Sequence, residues 1–318
     1  MGDDPVSSDV DDVARLWTRL AETAGVERAA ILDELGGVLL EAEREAEAVA
    51  VVESARELYV EADDPAEVAR CDRNLGLLLL GADRPEEAMA RYEAACTVYD
   101  ALLLSVDAAG CRQAMAEITA AAGDGPRAVA LFDHAAGAFA EAGDLVRAGW
   151  CRFDAAGVLV ELGARDVADA VLGEARVLFR EERAYLFVAR VDCVRAELAR
   201  QAGRFDEALE LLAAARAVFE AAGSDGEVDR CDDGRAEVLI DASRSAEAVA
   251  ELEVHRAERR AGGNAVGAAW CDLHLSRAYE NLGRVDDAVS SRRAARAVFD
   301  AAGFDEVLER AELVSPTP

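Results

Sequence analysis

The sequence predicts an all-α protein, a solenoid of seven two-helix repeats, and three observations predict it. Five of the seven cysteines, Cys71, Cys111, Cys151, Cys231 and Cys271, lie on one series of step 40, and the remaining terms, Ile31 and Val191, are also apolar. Small residues keep fixed places in each copy. Five positions on stand Gly36, Gly76, Ala116, Ala156, Ala196, Ala236 and Ser276; seventeen positions on stand Ala48, Ala88, Ala128, Ala168, Ala208, Ala248 and Ala288. Twenty-eight positions on, a large ring recurs as Tyr59, Tyr99, Phe139, Phe179, Phe219 and Phe299, with Arg259 as the exception. Self-similarity at such a period marks an architecture in which each hairpin buries its apolar face against the next.

Taken in order, residues 1–26 are expected to form an N-terminal tail and a capping helix, an acid-started amphipathic stretch over 8–24 with Leu16, Trp17 and Leu20. Seven repeats then occupy 27–303 without insertion. In the copy at Cys71, apolar residues at 71, 75, 78 and 79 have helical spacing. The breaker Gly81 to Pro85 follows, with the proline suited to a first helical turn. The second helix carries Ala88, Tyr92, Ala95, Val98 and Tyr99 on one face. Breaks such as Ala202-Gly203-Arg204 and Ala142-Gly143-Asp144 divide and end the units; glycine suits a left-handed C-cap and the following Asp a helix start. Residues 304–318, from Phe304, are expected to give a C-terminal capping helix and a frayed tail. No window alternates with period two, so no sheet is expected.

This pattern resembles the tetratricopeptide repeat. The resemblance rests on the pairs Leu35-Gly36 and Leu75-Gly76, the turns Gly203-Arg204 and Gly283-Arg284, the alanines Ala208 and Ala288, and the large residues Tyr92, Phe132 and Leu212 four positions after such an alanine. It covers nearly the whole chain. The period exceeds the usual ~34 residues and also falls in the HEAT range; the small-residue positions in both helices favour the tetratricopeptide reading. Longer units of this kind look like those of bacterial peptide-sensing regulators, kinesin light chains and polarity scaffolds. The resemblance implies a right-handed α-solenoid whose first helices line a concave groove.

Composition narrows the function. The 318 residues carry 34 basic and 64 acidic side chains, a net charge of −30, which argues against direct nucleic-acid binding and against anionic membrane surfaces. The longest apolar runs, such as Leu75 to Leu80, are far short of the ~20 residues a membrane span needs, and the acidic N-terminus does not resemble a secretory signal, so a cytoplasmic protein is expected. There is no lysine, so every basic site is a planar guanidinium. The cysteines form no C-x-x-C pair, and those in register read as reduced core residues; Cys193, two positions out of register, is the one worth testing for reactivity. His134, His255 and His274 fall in different repeats without metal-ligand spacing. No catalytic residue, cofactor or metal is expected, and the chain is not expected to be an enzyme.

The groove positions implied by the resemblance hold Arg70, Arg73, Trp150, Phe153, Arg190, Arg200, Arg230 and Trp270. Two readings stand side by side. In one, the arginines hold carboxylates of a bound protein or peptide while the rings anchor its apolar side chains. In the other, the arginines pair with neighbouring acids on a solvated wall and the tryptophans pack between repeats. The Lys/Asn clamp that some family members use for chaperone tails is not reproduced. The expected function is a non-catalytic scaffold or adaptor binding a peptide or protein segment with acidic and apolar side chains. The alternatives are a peptide-sensing regulator acting through a partner and a structural subunit of a larger assembly; a homo-oligomer is compatible with all three.

Overall fold

The computed structural model describes residues 5–304, and the chain divides into two compact units, Met1–Leu178 and Phe179–Pro318. The first carries α1 (Pro5–Leu20), α2 (Gly25–Glu41), α3 (Glu45–Glu61), α4 (Pro65–Gly81), α5 (Pro85–Ala101), α6 (Ser105–Ala121), α7 (Gly125–Glu141), α8 (Leu145–Glu161) and most of α9 (Arg165–Glu181). The second carries the end of α9, then α10 (Tyr185–Gln201), α11 (Phe205–Ala221), α12 (Asp225–Asp241), α13 (Ser245–Ala261), α14 (Ala265–Asn281) and α15 (Val285–Ala302). The fold is all-α, with no strand among the described residues.

The repeat has a finer grain than its sequence period. Helix starts recur every 20 residues from Pro5 to Val285, and α2 to α14 are each 17 residues long. A three-residue turn therefore serves both the hairpin and the step to the next hairpin. One turn residue, at 43 and every twentieth position to 303, has positive φ. Eight of these are glycines, where the left-handed conformation is free of Cβ strain. Six are not: Glu43, Asp63, Asp83, Leu103, Arg183 and Ser243, at φ 56–62°. The next amide returns to a carbonyl five residues back, as from Arg84 N to Leu79 O at 2.8 Å, which closes the helix end.

Helix starts use two devices. The side chains of Asp64, Asp124, Asp144 and Asn264 accept the amide three residues on. Arg44, Arg84, Arg204, Arg244 and Arg284 instead pair with an acid three residues on, as in Arg84 Nε to Glu87 at 2.7 Å. That places the carboxylate against the positive end of the helix dipole.

The first and second helices of a hairpin pack differently. A second helix buries a single stripe, for example Ala88, Tyr92, Ala95 and Tyr99 of α5. A first helix is covered from more sides; α4 buries Ala69, Cys71, Asp72, Leu75, Gly76, Leu78 and Leu79. All seven residues of the cysteine series are buried. The small positions admit the partner helix: a Cβ on Gly36 would lie 2.3 Å from Val52 Cγ2, and one on Gly76 would lie 2.8 Å from the Tyr92 ring. The rings at Tyr59, Tyr99, Phe139, Phe179, Phe219 and Phe299 are all buried; each contributes about 1.5–3 kcal/mol of apolar burial.

Two expectations change at the N-terminal end. The helix spans Pro5–Leu20 rather than 8–24, because it keeps the 20-residue cadence. Its packed stripe is Val13, Leu16 and Leu20, whereas Trp17, at the edge of that stripe, is 43% exposed. The closing helix expected over 304–318 lies, beyond Phe304, outside the described residues.

Arg259 is the exception to the ring series, and its surroundings explain how a cation occupies that place. Its side chain is 5% exposed. Its guanidinium donates to Asp229 Oδ1 and Asp233 Oδ1 at 2.8 Å each, and to the carbonyls of Asp229 at 2.8 Å and Gly267 at 3.0 Å. The cluster ties α13 to α12 and α14. Replacing Arg259 by Ala strands two carboxylates and should cost about 3–5 kcal/mol in chemical denaturation; a loss under about 1 kcal/mol would contradict this account. Leu103 is 87% exposed and left-handed. Leu103→Gly should therefore stabilise the protein by about 0.5–1 kcal/mol, strain relief outweighing added chain entropy. A rise in thermal midpoint checks this.

Candidate functional site

In the first unit, the expected wall residues fall into two groups on the first helices. Arg70 of α4 reaches back to Asp33 of α2 and is also held by Glu67, with Nε to Oε2 at 2.7 Å. Asn74 donates to the other oxygen of Asp33 at 3.0 Å. Arg73 pairs with Asp107 of α6 at 3.3 Å. These contacts lace the first helices of three successive hairpins together. Farther along, Trp150 and Phe153 of α8 meet edge to face, with centroids 5.5 Å apart at 81°.

Phe153 also lines a hollow of about 500 Å³ between α6, α7 and α8, with Phe132, Glu117, Asp154, Gly157 and Glu161. The absence of a side chain at Gly157 keeps it open. Burial, and then the charge of Glu117, pushes the Asp154 carboxyl up to about 6. Burial also raises Glu117, against the opposing hydrogen bond from Gln113 at 3.2 Å. The hollow therefore offers aromatic surface beside carboxylates whose charge is poorly compensated. That is the chemistry for a side chain with an apolar stem and a cationic head.

In the second unit, Arg200 of α10 is engaged by Glu197 at 2.6 Å and by Asp241 of α12. Asp241 also accepts from Arg277 of α14 at 3.4 Å. Arg190 and Arg230 converge on Glu227, the first at 3.7 Å. Trp270 packs on Phe299 of α15, with centroids 5.1 Å apart, and stacks beside His274. Burial takes that imidazole down to about 4. A smaller hollow of about 200 Å³ opens between α10, α11 and α12, lined by Cys193, Glu197, Leu212, Glu227, Arg230 and Val238.

Each wall arginine thus holds a carboxylate of the chain itself. Trp270 packs against the core, while Phe153 opens onto a hollow. The acids that complete the site, Glu117 and Asp154, carry no positional signature in so acidic a chain. Buried aspartates also stand one position after the cysteine series, at Asp72, Asp232 and Asp272. They accept from Arg56, Arg216 and Arg256, each sixteen residues earlier, at 2.7–2.8 Å. That separation, recurring at the same place in three repeats, could have revealed them. At the same place after Cys111 and Cys151 stand Arg112 and Arg152, which pair at other separations, with Asp100 and Asp133.

Asp154 supplies a pH test. Because its folded pKa lies above the unfolded carboxylate value, its ionisation costs stability. The cost is complete above about pH 6 and absent below about pH 4. Asp154→Asn should therefore stabilise the protein at pH 7 by about 1 kcal/mol after discounting for partial exposure, and by nothing at pH 4. Urea midpoints at the two pH values decide it; an equal gain at both would point to packing instead.

A family model described as soluble NSF attachment protein, SNAP, matches residues 37–145, about a third of the chain. No curated protein sequence matches the chain. Among solved structures, a signal transduction ATPase with a tetratricopeptide repeat sensor from Pyrococcus horikoshii aligns with TM-score 0.69 and 10% identity, over 90% of this chain and 44% of that one. Aspartyl phosphate phosphatase F from Bacillus subtilis aligns with TM-score 0.58 and 12% identity, over 85% and 70% of the two chains. The quorum sensor NprR from B. thuringiensis, in its apo form, aligns with TM-score 0.58 and 11% identity, over 93% and 83%. At these identities the likeness is one of fold. The cadence of paired helices, the small residues at their crossings and these alignments lead to one conclusion: the chain is an α-solenoid of the tetratricopeptide-repeat type.

Proposed function

We propose that this chain is a non-catalytic protein-interaction scaffold that takes a peptide or an extended protein segment along the first-helix face of its repeats. The observation that carries the reading is the hollow of about 500 Å³ on α6–α8, where two phenylalanines stand beside Glu117, Asp154 and Glu161. Trp150 and Phe153 act as apolar anchors, with Arg70 and Arg73 in the same unit. Arg190, Arg200, Arg230 and Trp270 form the corresponding surface of the second unit.

An acidic ligand would have to displace the chain's own carboxylates from these arginines. The partner chemistry is accordingly shifted from acidic and apolar towards basic and apolar. The recognition surface belongs to the repeats over 27–303, flanked by 1–26 and 304–318, and the protein works in the cytoplasm. No described helix is long and apolar enough to cross a membrane. The names of two neighbours, a repeat sensor and a quorum sensor, favour a second reading in which the bound segment is a signal passed to a partner.

The test is a peptide array pairing basic with apolar residues, probed with the purified chain. Binders should weaken at least tenfold in Phe153→Ala, with circular dichroism unchanged. Binders that ignore both Phe153→Ala and the combined Trp150→Ala, Arg190→Glu and Arg230→Glu variant would move the interface to another face.

A further inference from the structure

Cys193 and Cys231 stand apart from the other cysteines. Their sulfurs lie 3.6 Å apart, one on α10 and the other on α12, 38 residues along the chain. The remaining five are buried. Cys193 is only half-buried and forms part of the wall of the 200 Å³ hollow, while Cys231 sits behind it, 1% exposed. A thiol open to a small molecule, with a second thiol in contact behind it, is the arrangement in which oxidation of the first is resolved by the second. A sulfur–sulfur bond of ~2.05 Å would replace this 3.6 Å contact.

The shared proton matters as well. An S–H held between two sulfurs favours the thiolate on the accepting one; with Cys193 donating, the Cys231 thiol is held below its ordinary value. The same contact and burial hold the Cys193 thiol above its ordinary value, so it is the exposure of Cys193 that selects it. Its attack requires its proton to pass to Cys231, which the contact allows because either sulfur can be the donor.

We propose that Cys193 and Cys231 are a reversible oxidation site for hydroperoxides, forming a disulfide that joins the first helices of consecutive repeats. The Cys193 sulfur attacks the terminal peroxide oxygen; the O–O bond breaks, an alcohol or water leaves, and Cys193 becomes a sulfenic acid. The Cys231 sulfur then attacks the Cys193 sulfur. The S–S bond forms, and hydroxide departs with the Cys231 proton as water. In sum, two thiols and one hydroperoxide give one disulfide, one alcohol and one water: the sulfurs are oxidised and the peroxide oxygen is reduced. The bond fixes α10 to α12 at the hollow, independently of whether a peptide binds elsewhere on the first-helix face.

The full chain is treated with hydrogen peroxide, alkylated and digested with trypsin without reduction. Cleavage after the flanking arginines leaves Val191–Arg195 and Cys231–Arg235. The expected product is these two peptides joined, two hydrogens lighter than their sum and separated by dithiothreitol. Cys231→Ser should instead leave a sulfenic acid on Cys193 that dimedone traps. The proposal is overturned if, in wild type, both residues stay alkylatable while other cysteines oxidise, if Cys193 proceeds to sulfinic acid without the cross-link, or if the cross-link joins two chains. The wild-type digest, together with a non-reducing gel of the undigested protein to separate single chains from cross-linked dimers, decides these outcomes whether or not the serine variant folds.

Discussion

The left-handed residue that closes each helix from α2 to α15 is the constraint on which the described structure depends. It recurs every twentieth position from 43 to 303. It allows a three-residue turn to reverse the chain at both kinds of junction, so each helix begins at the same phase as the last. Only with that phase fixed can a small residue meet its partner at every crossing. Gly36 and Gly76 show how little room there is, since a Cβ on either would enter a neighbouring side chain. The chain keeps the geometry even where glycine is missing, at Leu103 and Arg183 for example, because packing of two helices over-determines the turn.

Much of this was legible in the sequence because repetition turns a weak signal into a strong one. A single alanine says nothing, but Ala48, Ala88, Ala128 and their successors identify a crossing. The halving of the period was not legible. First and second helices carry different residues at their packed positions, so equal lengths leave no trace in composition. The candidate surface was legible only in part. Position relative to the repeat located Trp150 and Phe153, but the acids around Phe153 are common residues made distinctive only by partial burial. The wall arginines were located equally well, yet sequence gave no way to choose between a ligand's carboxylates and the chain's own. The chain's acids, Asp33, Asp107, Glu227 and Asp241, occupy them.

Charge in this protein is therefore mostly internal organisation. Arginine supplies all of the basic side chains, and many of them bridge one helix to the next. Where the bridge is buried, as at Asp72 and Asp272, two guanidiniums converge on one carboxylate. Such sites resist misregistration, because sliding a helix by one position would bury an unpaired ion. Arg259 carries the same logic into a place that elsewhere takes a ring, replacing apolar contact with a fully bonded cation.

The uniform turn also bears on how such a chain can change over generations. Insertion of one residue within a helix would rotate everything after it by about 100° and turn packed faces towards water. Insertion of twenty would restore the phase but exchange the roles of first and second helix, whose burial differs. Duplication or loss of forty residues preserves both phase and role. Gene duplication in whole hairpins is thus the step of length change that this architecture tolerates, and the identical spacing of its turns is what natural selection would leave behind.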